Sequence, residues 1–190
     1  MDDAGPTNRQ ALNRSKESQD FESFWRSLRG GNDVPNRADF HPGKARRFVG
    51  DLVLMEAPRE EPIRIRVTGA RFDEMIGSDL TGRNPADFFP RAYRADVVSS
   101  ARLLVEKPCG LWQVSAAHLV RGYATHLEIT MFPLASDAGR APFLLCHVRA
   151  VGDLMRAHLP TTNGLGLDTA AAFRFLDVGA GEPEWIAQAA

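Results

Sequence analysis

Within DFESFWRSLRGG, Phe21, Phe24, Trp25 and Leu28 fall at i, i+3, i+4 and i+7, so four large apolar side chains share one face of a short helix. Asp20 stands at the expected N-cap, and Gly30-Gly31 ends the pattern. So short a helix is marginal in water, and its aromatic face must be covered by the rest of the chain or by a second copy. Residues 1–18 before it are polar and of alternating charge, which predicts a flexible N-terminus. Residues 19–50 form this leader helix and a connector, with two prolines and a short turn of helix around Lys44 to Val49.

From residue 51 the period changes. LVLMEAP and PIRIRVTG read as two strands joined by a short acidic turn, an antiparallel hairpin. In the second, Ile63, Ile65 and Val67 alternate with Arg64, Arg66 and Thr68, giving one dry and one wet face. RFDEMIGSDLTGRNPADFFP then predicts two very short helices. The first carries Phe72, Met75 and Ile76 on one face, with Gly77 as a left-handed C-cap. The second starts at Asn84 as N-cap with Pro85 at N1 and Asp87 completing a box-like pair, and it carries Phe88 and Phe89 inward. A longer helix follows from about Arg91 to Lys107, with Val97, Val98, Ala101, Leu104 and Val105 as its apolar stripe.

LWQVSAAHLV, YATHLEITMFPL and FLLCHVRAV are three further strands, the first two joined by a tight turn at Arg121-Gly122. Two consecutive hairpin connections imply a meander, so residues 51–152 are predicted to form an α+β core on an antiparallel sheet. Residues 153–190 are an extension too Gly-rich to build a core of its own. There, AAFRFLDV is a candidate edge strand or short helix, and the last residues are expected to be mobile.

Composition changes this picture mainly by exclusion. With 23 basic against 24 acidic residues, no positive excess supports nucleic-acid binding. No apolar run is long enough to span a membrane, and the N-terminus lacks the charged-then-apolar order of a secretory signal. Two cysteines, Cys109 and Cys146, make neither a metal spacing nor a disulfide framework. A cytoplasmic protein with ordinary buried thiols is the expectation.

The order strand–strand, helix cluster, longer helix, three-strand meander resembles that of the PAS domain superfamily. RVTGARFDEMIGSDLTGRNPADFFP resembles the PAS segment in which a strand enters a helix, a Gly-bearing turn and a second short helix. MFPLASDAGRAPFLL resembles the hairpin joining the last two PAS strands. FWRSLRGGNDVPNRADFHP resembles the leader of the stand-alone single-PAS proteins of alphaproteobacteria, in which an aromatic helix and an RADF-x-P element precede one core. The resemblance spans roughly residues 20–152. It implies a five-stranded antiparallel sheet with a cluster of short helices on one face, and a sensory or protein-interaction role in signal transduction. It also implies that activity resides in attached effector domains. The chain shows no kinase, phosphoacceptor or helix-turn-helix motif, so its output is expected to pass through another protein.

Candidate chemistry is sparse. His126-x-Glu128 on one face of a strand, with His147 on the next strand and His118 nearby, is a spacing that metal sites use. HLEIT equally fits a polar sheet face alternating with Leu127, Ile129 and Met131. Haem-binding PAS domains place their histidine on the helix cluster, and Arg71 to Lys107 contains none. Flavin photochemistry in that superfamily needs a cysteine where this chain reads NPADFF. No cofactor is predicted, with haem on a strand histidine and non-covalent flavin left open. Glu60-Glu61 read as solvated, and Ser115, His118 and Asp153 make a triad only by selection, so no catalytic or metal site is predicted.

Phe72, Met75, Ile76, Phe88, Phe89 and Leu104 are expected between helices and sheet. They either fill that space or leave a small apolar cavity, to which Trp112, His126 and Cys146 would add polar contacts if they face inward. The expectation is a sensor or regulator that binds a small apolar ligand, a downstream signalling protein, or both, with a homodimer through the leader-helix face as one form. The alternatives are an interaction adaptor with a filled core and a small enzyme of unspecified chemistry.

Overall fold

The computed structural model describes residues 13–120, 122–156 and 164–184. The predicted flexibility of residues 1–12 and of the last six residues therefore concerns positions outside those described, as does Arg121 of the predicted turn. The architecture is a six-stranded antiparallel sheet in the order β2-β1-β5-β4-β3-β6, with helical segments against both faces. The strands are β1 (Leu52–Glu56), β2 (Arg64–Thr68), β3 (Gly110–Leu119), β4 (Tyr123–Leu134), β5 (Phe143–Arg156) and β6 (Leu165–Leu176). The helices are α1 (Lys16–Ser27), α2 (Ala70–Ile76) and α3 (Arg94–Glu106), with single 3-10 turns at Pro85–Phe88 and Arg91–Tyr93.

The predicted hairpin and meander are present, and the sheet has one strand more than the five expected. β6 takes in AAFRFL of the AAFRFLDV stretch and pairs antiparallel with β3. It closes the sheet because Leu165, Leu167 and Phe175 join one core and Leu176 the other.

The two sheet faces carry two separate apolar layers. Strand alternation sends Leu127 and Ile129 toward α2 and α3, and Phe132 and Leu134 toward α1. On the first face, α2 ends at Gly77, whose φ of +73° is the left-handed cap expected there. The turn at Pro85–Phe88 is capped by Asn84, which accepts from the Ala86 N–H. Asp87 does not complete a box: it sits 3.3 Å from Arg94 instead. The complete capping box belongs to the connector, between Asn36 and Asp39. The predicted helix at Lys44 to Val49 is a run of turns ending in a 3-10 turn at Val49–Asp51.

On the second face, α1 packs on its own sheet. Phe21 and Trp25 are fully buried and Leu28 nearly so, while Phe24 lies at the margin against Phe40 and Phe48. Trp25 stacks on Phe132 at 5.0 Å and donates its indole N–H to the Pro133 carbonyl at 2.8 Å. Burying three such side chains contributes roughly 5–9 kcal/mol before ordering entropy. The helix begins five residues earlier than its apolar pattern indicates. Ser15 is the N-cap, and Asp20 lies inside the helix paired with Lys16 and Arg47.

β2 departs from its alternation at one point. Leu54 pairs with Val67 but Met55 pairs with Ile65, so Arg66 is an extra residue on the β2 side. The slip turns Val67 away from the face of Ile65 and leaves it 56% exposed beside Leu54.

Candidate functional site

Between the sheet and the α2–α3 face lies a cavity of about 90 Å³. Its floor is β1, β4 and β5, through Val53, Leu127, Ile129, Met131 and Cys146. Its roof is Phe72 of α2, Phe88 and Phe89 of the 3-10 turn, and Val97, Ser100 and Ala101 of α3. β6 closes one side with Leu165 and Leu167. Among the described residues, Ser100 and Gln113 are the only uncharged hydrogen-bonding side chains in the lining, and no ionisable group except the Cys146 thiol reaches it. Ser100 Oγ is turned back onto the Val97 carbonyl at 3.1 Å. Gln113 donates only a long 3.5 Å contact to Ser115 and keeps its amide carbonyl for other use. Full burial pushes the Cys146 thiol far above its ordinary range, so it acts as a small apolar wall and not as a nucleophile. Burial likewise pushes Cys109 up, to about 11.

Of the residues proposed from sequence, Phe72, Phe88, Phe89 and Cys146 line this cavity. Met75, Ile76 and Leu104 pack in the same core behind it. Two proposed members do not belong. Trp112 points to the opposite face and packs under α1, and His126 is exposed, because even-numbered residues of β3 and β4 face away from the cavity. The apolar half of β4 was the missed signal: Leu127, Ile129 and Met131 form the floor. The triad also dissolves, since Ser115 and His118 lie on opposite faces of β3 and His118 meets Asp168 at 3.2 Å. Among the described residues no three His, Cys, Asp or Glu side chains converge on a possible metal position.

Directly behind the cavity floor, β4 presents Glu128 and Thr130 to the leader helix. Glu128 is 2% exposed, not part of a solvated polar face. Its carboxylate accepts from the Ser15 N–H at 2.9 Å, from Ser15 Oγ at 2.5 Å and from the Trp112 indole N–H at 2.7 Å. A carboxylate at the start of α1 also meets the positive end of the helix dipole. Ser18 and Thr130 share a hydrogen bond at 2.5 Å, and Arg14 bridges Ser18 and Glu22. At the other end, Arg26 and Arg29 donate to the Asp177 and Val178 carbonyls just past β6. The sequence hid this arrangement because Arg14, Ser15 and Ser18 read as part of a polar tail.

His147, beside Thr130 in the sheet, lies against the rings of Phe21 and Phe48, with centroids 5.3 and 5.4 Å away. Burial lowers its pKa to about 4, outweighing the opposing pull of Asp51 at 3.9 Å. At neutral pH it is uncharged and forms no ion pair there. Because the folded value lies below the unfolded 6.5, the unfolded chain takes up the proton first, and stability falls as pH drops through that window. The expected loss is about 3 kcal/mol between pH 7 and 4. Urea unfolding at a series of pH values checks this: His147→Phe should flatten that part of the profile, and an unchanged profile refutes the assignment.

No helix among the described residues is long and apolar enough to cross a membrane. A search of curated proteins found no match to the chain. A family model of the PAS domain matches residues 13–148, a span that holds the leader helix, both hairpin strands, the helix cluster and most of the meander. With well over half of the chain inside that match, and with its strand and helix order now seen in three dimensions, the protein belongs to the PAS domain family of sensory and interaction modules.

Proposed function

We propose that the protein is a signalling sensor that takes a small apolar molecule between α2, α3 and the sheet, and reports it through the leader helix. The observation that carries this is the back-to-back arrangement on β4. Leu127, Ile129 and Met131 floor the cavity, while Glu128 and Thr130, one residue away in each case, hold the start of α1. A ligand that displaces the floor moves the clamp, and it shifts the leader between docked and loosened populations to the extent that it binds one better.

The cavity volume limits the ligand. An apolar cavity of roughly 150 Å³ accepts benzene, so this one, at about 90 Å³, takes only a few heavy atoms as it stands. Larger molecules require α2 and the Pro85–Phe88 turn to move outward, and these short elements bury little per residue. The small volume also favours a second reading, an interaction adaptor that works with its core nearly filled. In either case the output is a partner protein, with a second copy of the chain as one form of it and the cytoplasm as the setting.

Native mass spectrometry and an absorption spectrum of protein purified from its own host separate the two. The sensor reading expects a retained or added apolar molecule that is lost in Ala101→Leu, which fills the cavity from α3. It also expects faster amide exchange across Lys16–Ser27 when the molecule binds. Absence of any bound or bindable small molecule favours the adaptor, and haem or flavin bands would replace both with a cofactor-based sensor.

A further inference from the structure

The face that carries α1 is not covered as far as the β2 edge. Between the connector and β2 runs an open groove of about 270 Å³, walled by Phe40, Leu52, Leu54 and Leu145. Val49 and Val67, at 41% and 56% exposure, border it. Its shape is set by backbone. The one-residue slip at Arg66 turns Val67 outward, and a Cβ on Gly69 would come within 2.3 Å of the Val49 carbonyl oxygen, so only glycine lets β2 approach the connector this closely.

At the rim, the Arg37 guanidinium lies over Phe40 and Phe143, at 5.5 and 5.8 Å, and donates to the Phe40 carbonyl. It meets no carboxylate among the described residues, and neither do Lys44 and Arg46, exposed on the connector loop behind Pro42 of the groove. A chain of net charge −1 thus keeps the unneutralised Arg37 at the rim of an apolar groove. The volume lies below the roughly 300–1,000 Å³ usual for small-molecule sites and suits one or two side chains.

We propose that this groove docks a short segment of a partner protein carrying one or two bulky apolar side chains flanked by carboxylates. A second copy fits less well, because a two-fold pairing of the groove with itself sets the two copies of Arg37 against each other. The site is separate from the cavity, on the opposite face of the sheet, and does not depend on what the cavity holds.

The test uses a fluorescein-labelled peptide of sequence Asp-Glu-Leu-Phe-Asp-Glu, read by anisotropy against the full chain. Saturable binding with Kd on the order of 10–100 µM at low salt is expected, weakening as salt is added. Val67→Asp, an exposed position, should weaken it at least about tenfold without changing the melting temperature, and Arg37→Gln should flatten its salt dependence. The proposal is overturned if nothing binds up to about 1 mM. It is overturned too if a peptide with Ser-Ser in place of Leu-Phe binds equally, or if Val67→Asp has no effect. Self-association in sedimentation that Val67→Asp abolishes would also overturn it, by placing a second copy in the groove.

Discussion

Trp25→Ala is expected to destabilise the protein by about 3–5 kcal/mol, the range for removing a large aromatic from a packed core. The indole is fully buried, stacks on Phe132 and ends its N–H on the Pro133 carbonyl. Truncation therefore opens a void between helix and sheet and strands a backbone acceptor at once. At about 2–4 °C per kcal/mol for a chain of this size, the melting temperature should fall by about 6–20 °C. Thermal melts by circular dichroism give the first reading and sedimentation velocity the second. A fall in melting temperature with unchanged sedimentation places the helix on its own sheet. An unchanged melting temperature with lost self-association would mean that α1 belongs to a neighbour, contrary to the packing described above.

The second large effect is expected at Glu128. Glu128→Ala removes the acceptor for the buried Trp112 indole N–H and for the half-buried Ser15 N–H and hydroxyl. Leaving the buried indole donor unsatisfied costs about 1–3 kcal/mol, and the two half-buried Ser15 donors add less each, so a total of about 2–5 kcal/mol is expected. Glu128→Gln keeps one acceptor oxygen and should recover part of it. The distinguishing measurement is hydrogen exchange. In Glu128→Ala, amides across Lys16–Ser27 should exchange much faster while those of Arg94–Glu106 stay protected. Equal acceleration of both helices would show that Glu128 supports the core as a whole and does not clamp the leader. Ser15→Ala combined with Glu128→Ala in a double-mutant cycle should give a coupling of about 1 kcal/mol or more.

Much of the fold is readable in the chain because its elements are short and sharply punctuated. Gly77 and the Asn84-Pro85 step mark helix boundaries that the structure reproduces. Short apolar runs bounded by turns mark β1 to β5, with clear alternation in PIRIRVTG and HLEIT. Local pattern misleads where a tertiary partner sets the outcome. The start of α1 is polar because Glu128 and Thr130 supply hydrogen-bond partners to Ser15 and Ser18 from 113 and 112 residues away, and no window around Ser15 contains them. Val67 fits the alternation of its own strand, but the slip that turns it out depends on pairing with β1. Trp112 and His126 were assigned to the cavity by chemistry alone, whereas their parity along β3 and β4 places them behind it. The cavity itself follows from the aromatic residues of the helix cluster, and the clamp behind it does not.

The slip at Arg66 has a consequence for how the β2 edge can vary between related chains. The groove exists because β2 carries one residue more than β1 between two matched pairs, so it depends on segment length more than on any single side chain. Substitution can make the groove wider, narrower or more polar, yet it leaves Val67 on the outside. One residue inserted into β1 opposite Arg66 would restore strict alternation, return the valine to the side of Ile65 and erase the outer wall, all without altering an apolar residue. Insertion in β1, and not a point change, is the event that abolishes this surface.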